Sequence, residues 1–132
     1  MDTKRRDKVW FANKYIAFLE KEFGRTKESY YAFFDNDDFP NECWGLGFNM
    51  DCGKSFINAY GEDAWNNIKG LKTDIEKISD INTIGNGLFS KWRYYNHWAY
   101  PSEITPETKD WFLTLFRRLK VLCDTQEGHY WK

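Results

Sequence analysis

Three polar side chains in an aromatic segment of the chain could together bind an anion. Ser90, Arg93 and His97 are spaced i, i+3 and i+7, so a helix would place them along one side. The segment around them, residues 85–100, is rich in tryptophan and tyrosine. A guanidinium beside hydroxyl groups suits a carboxylate, a phosphate or an acidic segment of a partner. One interpretation of the stripe Ser90–Arg93–His97 is therefore an anion pocket floored by aromatic rings.

A structural role for the same arginine is the interpretation that we favour, because charges buried in aromatic cores are normally paired. In this interpretation Arg93 pairs with an internal carboxylate and fastens a hairpin to the central helix, while His97 donates to a backbone carbonyl. The carboxylates considered are Asp35, Asp38 and Asp51.

Cys52 is the cysteine whose position favours a reactive thiolate. It stands near a predicted helix start, where the helix dipole favours the thiolate, although Asp51 beside it acts in the opposite direction. A cysteine nucleophile also needs a base, and His97 is the candidate. Nothing in the sequence brings Cys52 and His97 together, so we assign no catalytic residue and keep these two as candidates.

Residues 51–55, D-C-G-K-S, match part of a phosphate-binding loop but lack its first glycine. The motif G-x-x-x-x-G-K-[ST] supplies successive backbone N–H groups to phosphates, and Phe48 stands where that glycine belongs. Asp51 would also place a carboxylate among those N–H groups, which repels phosphate. The segment therefore predicts no nucleotide site.

The acidic segment 35–42, D-N-D-D-F-P-N-E, carries hard oxygen ligands but not the pattern of a calcium loop. Counted from Asp35, the required glycine at position six is Pro40 and the required glutamate at position twelve is Leu46. The cysteines and histidines lack the paired spacing of a zinc site. We therefore expect no metal and no cofactor.

The composition predicts one domain over residues 1–132, with residues 1–6 and 124–132 loose at its ends. Aromatic residues make up 20% of the chain, so its core should be built from rings. A net charge of −1 argues against a dedicated nucleic-acid binder. An odd count of 3 cysteines, with neither an apolar leader nor a long apolar run, predicts a reduced, cytoplasmic protein.

Hydrophobic periodicity predicts an α+β fold, namely a mostly helical single domain with a small antiparallel β-hairpin packed on an aromatic-rich central helix. The predicted strands are residues 29–34 and 43–50, the second because large apolar residues alternate along it. The central helix is predicted as one continuous element over residues 88–99. The other main helices are predicted at 7–23, 55–60 and 105–123.

Two segments resemble a family of small bacterial cytoplasmic proteins. They are F-S-K-W-R-Y-Y-N-H-W-A at residues 89–99 and W-G-L-G-F-N-M-D-C-G-K-S-F at residues 44–56. The resemblance implies a bacterial source and a shared core. No activity is established for that family, so the resemblance implies no site residue.

Without a complete catalytic set, the sequence predicts a small regulatory or protein-interaction protein, of the accessory or immunity type, without catalytic activity. Its partner is expected to be another protein rather than nucleic acid or a membrane, because tryptophan and arginine are typical of interface hot spots. The partner-binding candidates are Trp10, Trp44, Trp98 and Trp131. The alternative is a small enzyme that acts on an anionic substrate through Arg93 and His97 or through a Cys52 thiolate.

Overall fold

The computed structural model describes residues 3–21, 33–99 and 103–125, and every regular element in these ranges is helical. The elements are α1 (Thr3–Lys21), α2 (Asp38–Gly45), α3 (Lys54–Tyr60), α4 (Glu62–Asn66), α5 (Ile68–Thr73), a 3₁₀ turn (Ile75–Lys77), α6 (Ile81–Arg93), a π-helical turn (Tyr94–Trp98) and α7 (Pro106–Thr125). Helix α1 packs along helix α7, and helix α6 packs on α2, α3 and α7.

Helix α6 is the central element, because other helices cover most of its surface. Asp80 caps its start by accepting a hydrogen bond from the backbone N–H of Thr83 at 2.9 Å. Gly85 lets the ring of Phe48 approach the helix backbone, since an added Cβ would overlap that ring. This glycine thus permits close packing rather than breaking the helix.

The predicted continuous helix at residues 88–99 is helical to Trp98, but its last turn is not α-helical. After Arg93 the backbone widens into a π-helical turn, Tyr94–Trp98. The N–H of Ala99 donates to the carbonyl of Tyr94 at 2.9 Å, which is the i to i+5 bond of that geometry. Side chains four residues apart therefore do not align across this turn as they would in an α-helix.

The core is a lattice of rings, as the aromatic-rich composition predicts. The ring of Phe39 stacks on Trp92 at 5.1 Å and meets Phe33 edge-on at 5.6 Å. The indole N–H of Trp92 donates to the carbonyl of Phe33 at 2.8 Å. Phe33 also meets Phe112 of α7 edge-on at 5.3 Å. Every buried ring in this set therefore finds the edge-to-face, stacked or hydrogen-bonded partner that it needs.

The predicted β-hairpin is wrong, and with it the α+β class, since the described residues contain no strand. Residues 43–45 are the end of α2, and residues 46–53 form a loop. The first predicted strand, residues 29–34, lies mostly outside the described residues, and its last two residues are helical. The described fold is therefore all-α.

A glycine that ends a helix explains why alternation was misleading at residues 43–50. Gly47 has a φ of +82°, the left-handed conformation that terminates many helices. The N–H of Phe48 donates to the carbonyl of Cys43 at 2.9 Å, and that of Gly47 to Trp44 at 3.1 Å. These two bonds form a Schellman motif, so the alternation comes from a helix end and the loop after it.

The predicted terminal helices are confirmed. The first begins at Thr3 and is described as far as Lys21, and the last runs over Pro106–Thr125. The last helix starts as the sequence predicts, with Pro106 at its first position and the hydroxyl of Thr105 3.4 Å from the N–H of Thr108.

No helix in the described part of the chain is both long and apolar enough to cross a membrane.

Candidate functional site

A cleft of about 640 Å³ opens between the C-terminal half of α6, the π-helical turn and the α4 helix. Its volume lies within the range of roughly 300–1,000 Å³ that is common for ligand sites. The lining is aromatic with a few polar groups. The residues are Met50, Cys52, Trp65, Asn66, Ser90, Lys91, Arg93, Tyr94, Tyr95, Trp98 and Glu103.

Lys91 is the most unusual side chain in this cleft, because a lysine is rarely as buried as this one, which is 8% exposed. Its ammonium donates to the backbone carbonyl of Trp65 and lies 4.7 Å from that indole and 4.1 Å from the indole of Trp111. Among the described residues, no carboxylate forms a salt bridge with it. Burial lowers the pKa of Lys91 to about 7, from an ordinary value of 10.5.

The turn before α3 holds one of the two indoles in place. Gly53 has a φ of +82°, and a Cβ added there would lie 2.5 Å from the ring of Trp65. On the other side, the indole N–H of Trp111 donates to the carbonyl of Ala64 at 2.9 Å, which joins α7 to α4. The two rings beside Lys91 are thus fixed by backbone contacts on both sides.

Asp51 and Ser90 connect this turn to helix α6. The Ser90 hydroxyl accepts from the N–H of Asp51 at 3.0 Å and donates to its carboxylate at 3.2 Å. The carboxylate also accepts the N–H groups of Gly53 and Ser55 at 3.0 and 3.2 Å. Burial raises the pKa of Asp51, but these bonds and the Ser55 hydroxyl outweigh it and hold the pKa below its ordinary value. This carboxylate therefore occupies the place that a phosphate would need.

The stripe predicted from the sequence is divided in the structure. Ser90 and Arg93 line the cleft, whereas His97 does not and instead packs edge-on against Trp98, 4.6 Å away. The reason is the π-helical turn, which begins after Arg93 and rotates the residues beyond it. Ser90, in addition, already uses its hydroxyl on Asp51.

Arg93 does not form the predicted ion pair within the described part of the chain. Its guanidinium donates to the side-chain carbonyl of Asn96 at 2.9 Å. Asn96 in turn donates to the carbonyl of Phe34 at 2.7 Å, so this amide makes the connection to the segment before α2. A guanidinium has five N–H donors, and the bond to Asn96 uses one of those on Arg93.

The two catalytic candidates are not brought together. Cys52 is exposed and lines the cleft, and its φ is 59°. It directly follows Asp51, whose carboxylate accepts the N–H groups of the turn. His97 lies outside the cleft lining, so it is not placed as a base for the thiol. The other cysteines, Cys43 and Cys123, are buried and free, and burial raises the pKa of the Cys43 thiol.

The tryptophans proposed for partner binding occupy different surfaces. Trp98 is 69% exposed and lines the cleft. Trp44, 55% exposed, lies edge-on against Phe89 at 5.6 Å, away from the cleft lining. Trp10, 56% exposed, lines a separate small groove with Glu42, and Trp131 lies outside the described residues. Trp98 is therefore the candidate that the cleft includes.

Lys91 is the functional candidate that sequence reasoning missed, although a signal was present. It stands three residues after Leu88, seven after Ile84 and four before Tyr95, so it falls within the apolar stripe of α6. A lysine on the apolar side of a helix departs from the amphipathic pattern, and such departures are expected at functional sites.

Two carboxylates of the acidic segment, both within α2, lie close to the ammonium of a lysine. Lys14 lies 2.8 Å from Glu42 and 3.8 Å from Asp38. Nowhere in the described ranges do three or more histidine, cysteine or acidic side chains converge as metal ligands.

Comparison of this chain with models of protein families, with curated proteins and with solved structures finds no match.

Proposed function

We propose that this protein is a small protein-interaction protein without catalytic activity, and that the cleft receives an acidic segment of its partner. The observation that carries the proposal is that two cations, Lys91 and Arg93, line one cleft, and no described carboxylate pairs with either. The one carboxylate of the cleft lining, Glu103, accepts the hydroxyl of Tyr94 at 2.6 Å. A carboxylate of the partner would supply the missing negative charge.

The rim of the cleft favours a macromolecular partner over a small ligand. Trp98, Met50 and Tyr94 line the cleft and are large, apolar and exposed. A small ligand held inside would leave much of this apolar surface in water, whereas a protein segment lying across the opening would cover it. Tryptophan and tyrosine beside an arginine are the usual composition of such a hot spot.

The proposal is tested with short peptides of alternating glutamate and leucine, titrated against the full chain. A matched set carries glutamine in place of glutamate. We expect the acidic set to bind more tightly, and the binding to weaken as salt is added, because the attraction is between charges. Equal affinity of the acidic and amide peptides would contradict the proposal.

Two tryptophans of similar exposure provide a matched pair of variants. Trp98→Ala and Arg93→Gln should each weaken binding of the acidic peptides on the order of tenfold, because each removes a contact at the cleft. Trp44→Ala should leave the affinity unchanged, since Trp44 does not line the cleft. Cys52→Ser and His97→Gln should retain both the fold and the binding. Loss of binding in Trp44→Ala with none in Trp98→Ala would move the interface to α2.

A further inference from the structure

Lys91 lies between two cavities and lines both of them. It lines the cleft of about 640 Å³ and also a neighbouring cavity of about 130 Å³. Asn66, Tyr95 and Glu103 line both spaces with it. Lys91 is thus largely buried, at 8% exposed, yet it borders two spaces large enough for a small molecule or water.

The surroundings of the amine favour its neutral form. Indoles lie 4.7 and 4.1 Å from its nitrogen, and this nitrogen donates a hydrogen bond to a neutral carbonyl, that of Trp65. An ammonium without a carboxylate partner is disfavoured in such a place. The pKa of about 7 that follows from burial leaves a large share of the amine unprotonated at neutral pH. A neutral lysine amine in an apolar pocket is a nucleophile toward carbonyl carbon.

We propose that Lys91 is a carbonyl-capture site, at which its amine forms a reversible imine with a small aldehyde or oxo compound that carries a carboxylate. The carboxylate requirement comes from Arg93, which lines the same cleft and donates to Asn96 rather than to an acid. Guanidinium and carboxylate form a favourable two-bond pair. The inference goes beyond the acidic partner proposed above by adding amine chemistry at Lys91, and it uses the same cleft and the same Arg93.

The condensation balances without an oxidant or a reductant. The nitrogen lone pair attacks the carbonyl carbon, the C–N bond forms, and the electron pair of the carbonyl π bond moves to oxygen. A proton moves from nitrogen to that oxygen to give a carbinolamine. Loss of water then yields the imine, so one carbonyl compound and one amine give one imine and one water.

The test uses glyoxylate, an aldehyde that carries a carboxylate, with sodium cyanoborohydride on the full chain. The reductant converts each imine into a stable secondary amine, and peptide mapping by mass spectrometry then gives the rate at every lysine. We expect Lys91 to be modified on the order of tenfold faster than exposed lysines such as Lys54 and Lys69. A rate at Lys91 equal to or below theirs overturns the proposal.

Two variants and a pH series complete the experiment. Lys91→Met should abolish the fast modification, whereas Lys69→Met should not. If Lys91→Met does not fold, the wild-type peptide map decides alone. The rate should rise through about pH 7, the value to which burial brings this amine. The titratable groups that face its two cavities are Cys52, Arg93, Tyr94, Tyr95, Glu103 and Glu107.

A second aldehyde, which lacks a carboxylate, tests whether the carboxylate of glyoxylate speeds its reaction at Lys91. Propionaldehyde lacks the negative charge, so it should react at Lys91 several-fold more slowly than glyoxylate does. Arg93→Gln should remove that difference between the two aldehydes. Equal rates for the two aldehydes in the wild-type protein would overturn the assignment of a carboxylate-bearing ligand.

Discussion

Two lysines of this protein lie against tryptophan rings, but they differ in whether an acid is beside them. The ammonium of Lys14 is 5.1 Å from the ring of Trp10 and 2.8 Å from the carboxylate of Glu42. The ammonium of Lys91 is 4.1 Å from the ring of Trp111 and forms no salt bridge with any described carboxylate. The counter-ion, not the ring, distinguishes the two sites.

The Lys14 site is a closed network. Glu42 accepts from Lys14 with one oxygen and from the hydroxyl of Tyr15 with the other. Tyr15 is fully buried, and burial together with this carboxylate raises the pKa of its hydroxyl. All three polar groups therefore have partners, and the network serves to hold α1 against α2. At Lys91 no described carboxylate forms such a pair, and the nitrogen instead donates to the carbonyl of Trp65.

The largest expected effect is the loss of stability when the closed network is broken. Glu42→Leu removes the acceptor of the buried Tyr15 hydroxyl and the partner of Lys14 at once. Leaving a buried donor unsatisfied and an ion pair broken should lower the free energy of unfolding by about 3 kcal/mol. Urea unfolding followed by circular dichroism measures this change.

The control for this variant is a second substitution at the hydroxyl. Adding Tyr15→Phe to Glu42→Leu removes the unsatisfied donor and should restore part of the stability, because replacing both partners by apolar groups is nearly neutral. A double variant that is less stable than the single one would show that packing, not hydrogen bonding, holds this site together.

The next effect in size is a dependence of stability on pH at Lys91. Between pH 7 and pH 9 the unfolded chain keeps the proton on this amine, since its ordinary pKa is 10.5, while the folded chain loses it through about pH 7. The unfolded state then binds more protons, so the contribution of Lys91 to stability rises with pH. Relative to Lys91→Met, the wild-type protein should gain about 2 kcal/mol over this range.

The comparison with Lys91→Met removes the other titrating groups from this measurement. Burial also raises the pKa of Cys43 and of Tyr15, but both groups are present in the two proteins and their effects cancel. At pH 7 the methionine variant should be the more stable, because it buries no cation. A constant difference in stability from pH 7 to 9 would mean that Lys91 titrates as an exposed lysine does.

Much of the helical framework could be predicted from local pattern, because it depends on neighbours in sequence. The helix at Pro106–Thr125 follows from its apolar face, its Thr105 cap and its proline start. The hairpin could not be predicted correctly, because the alternation of Trp44, Leu46, Phe48 and Met50 matches a strand as well as it matches a helix end followed by a loop. Gly47 ends the helix because it adopts a left-handed backbone conformation, which the residue types alone do not predict.

The candidate site was predicted only in the part that depends on helix phase. Ser90 and Arg93 were expected on one polar side of α6, and both line the cleft. The predicted position of His97 is wrong because no residue pattern indicates the π-helical turn in which it lies. Lys91 was missed because its burial depends on Trp65, which is 26 residues earlier, and on Trp111 of a different helix. Such contacts belong to tertiary packing.

The smallest effect is also the one that separates the two lysines most directly. Lys14→Met keeps the packing on the ring of Trp10 and removes a partly buried ion pair, so it should lower the free energy of unfolding by about 1 kcal/mol. Lys91→Met, measured in urea at pH 7 beside it, should raise that free energy, because there the charge has no acid to offset its burial. A change of the same sign in both variants would mean that the indole contacts, rather than Glu42, set the energetics of a buried lysine in this protein.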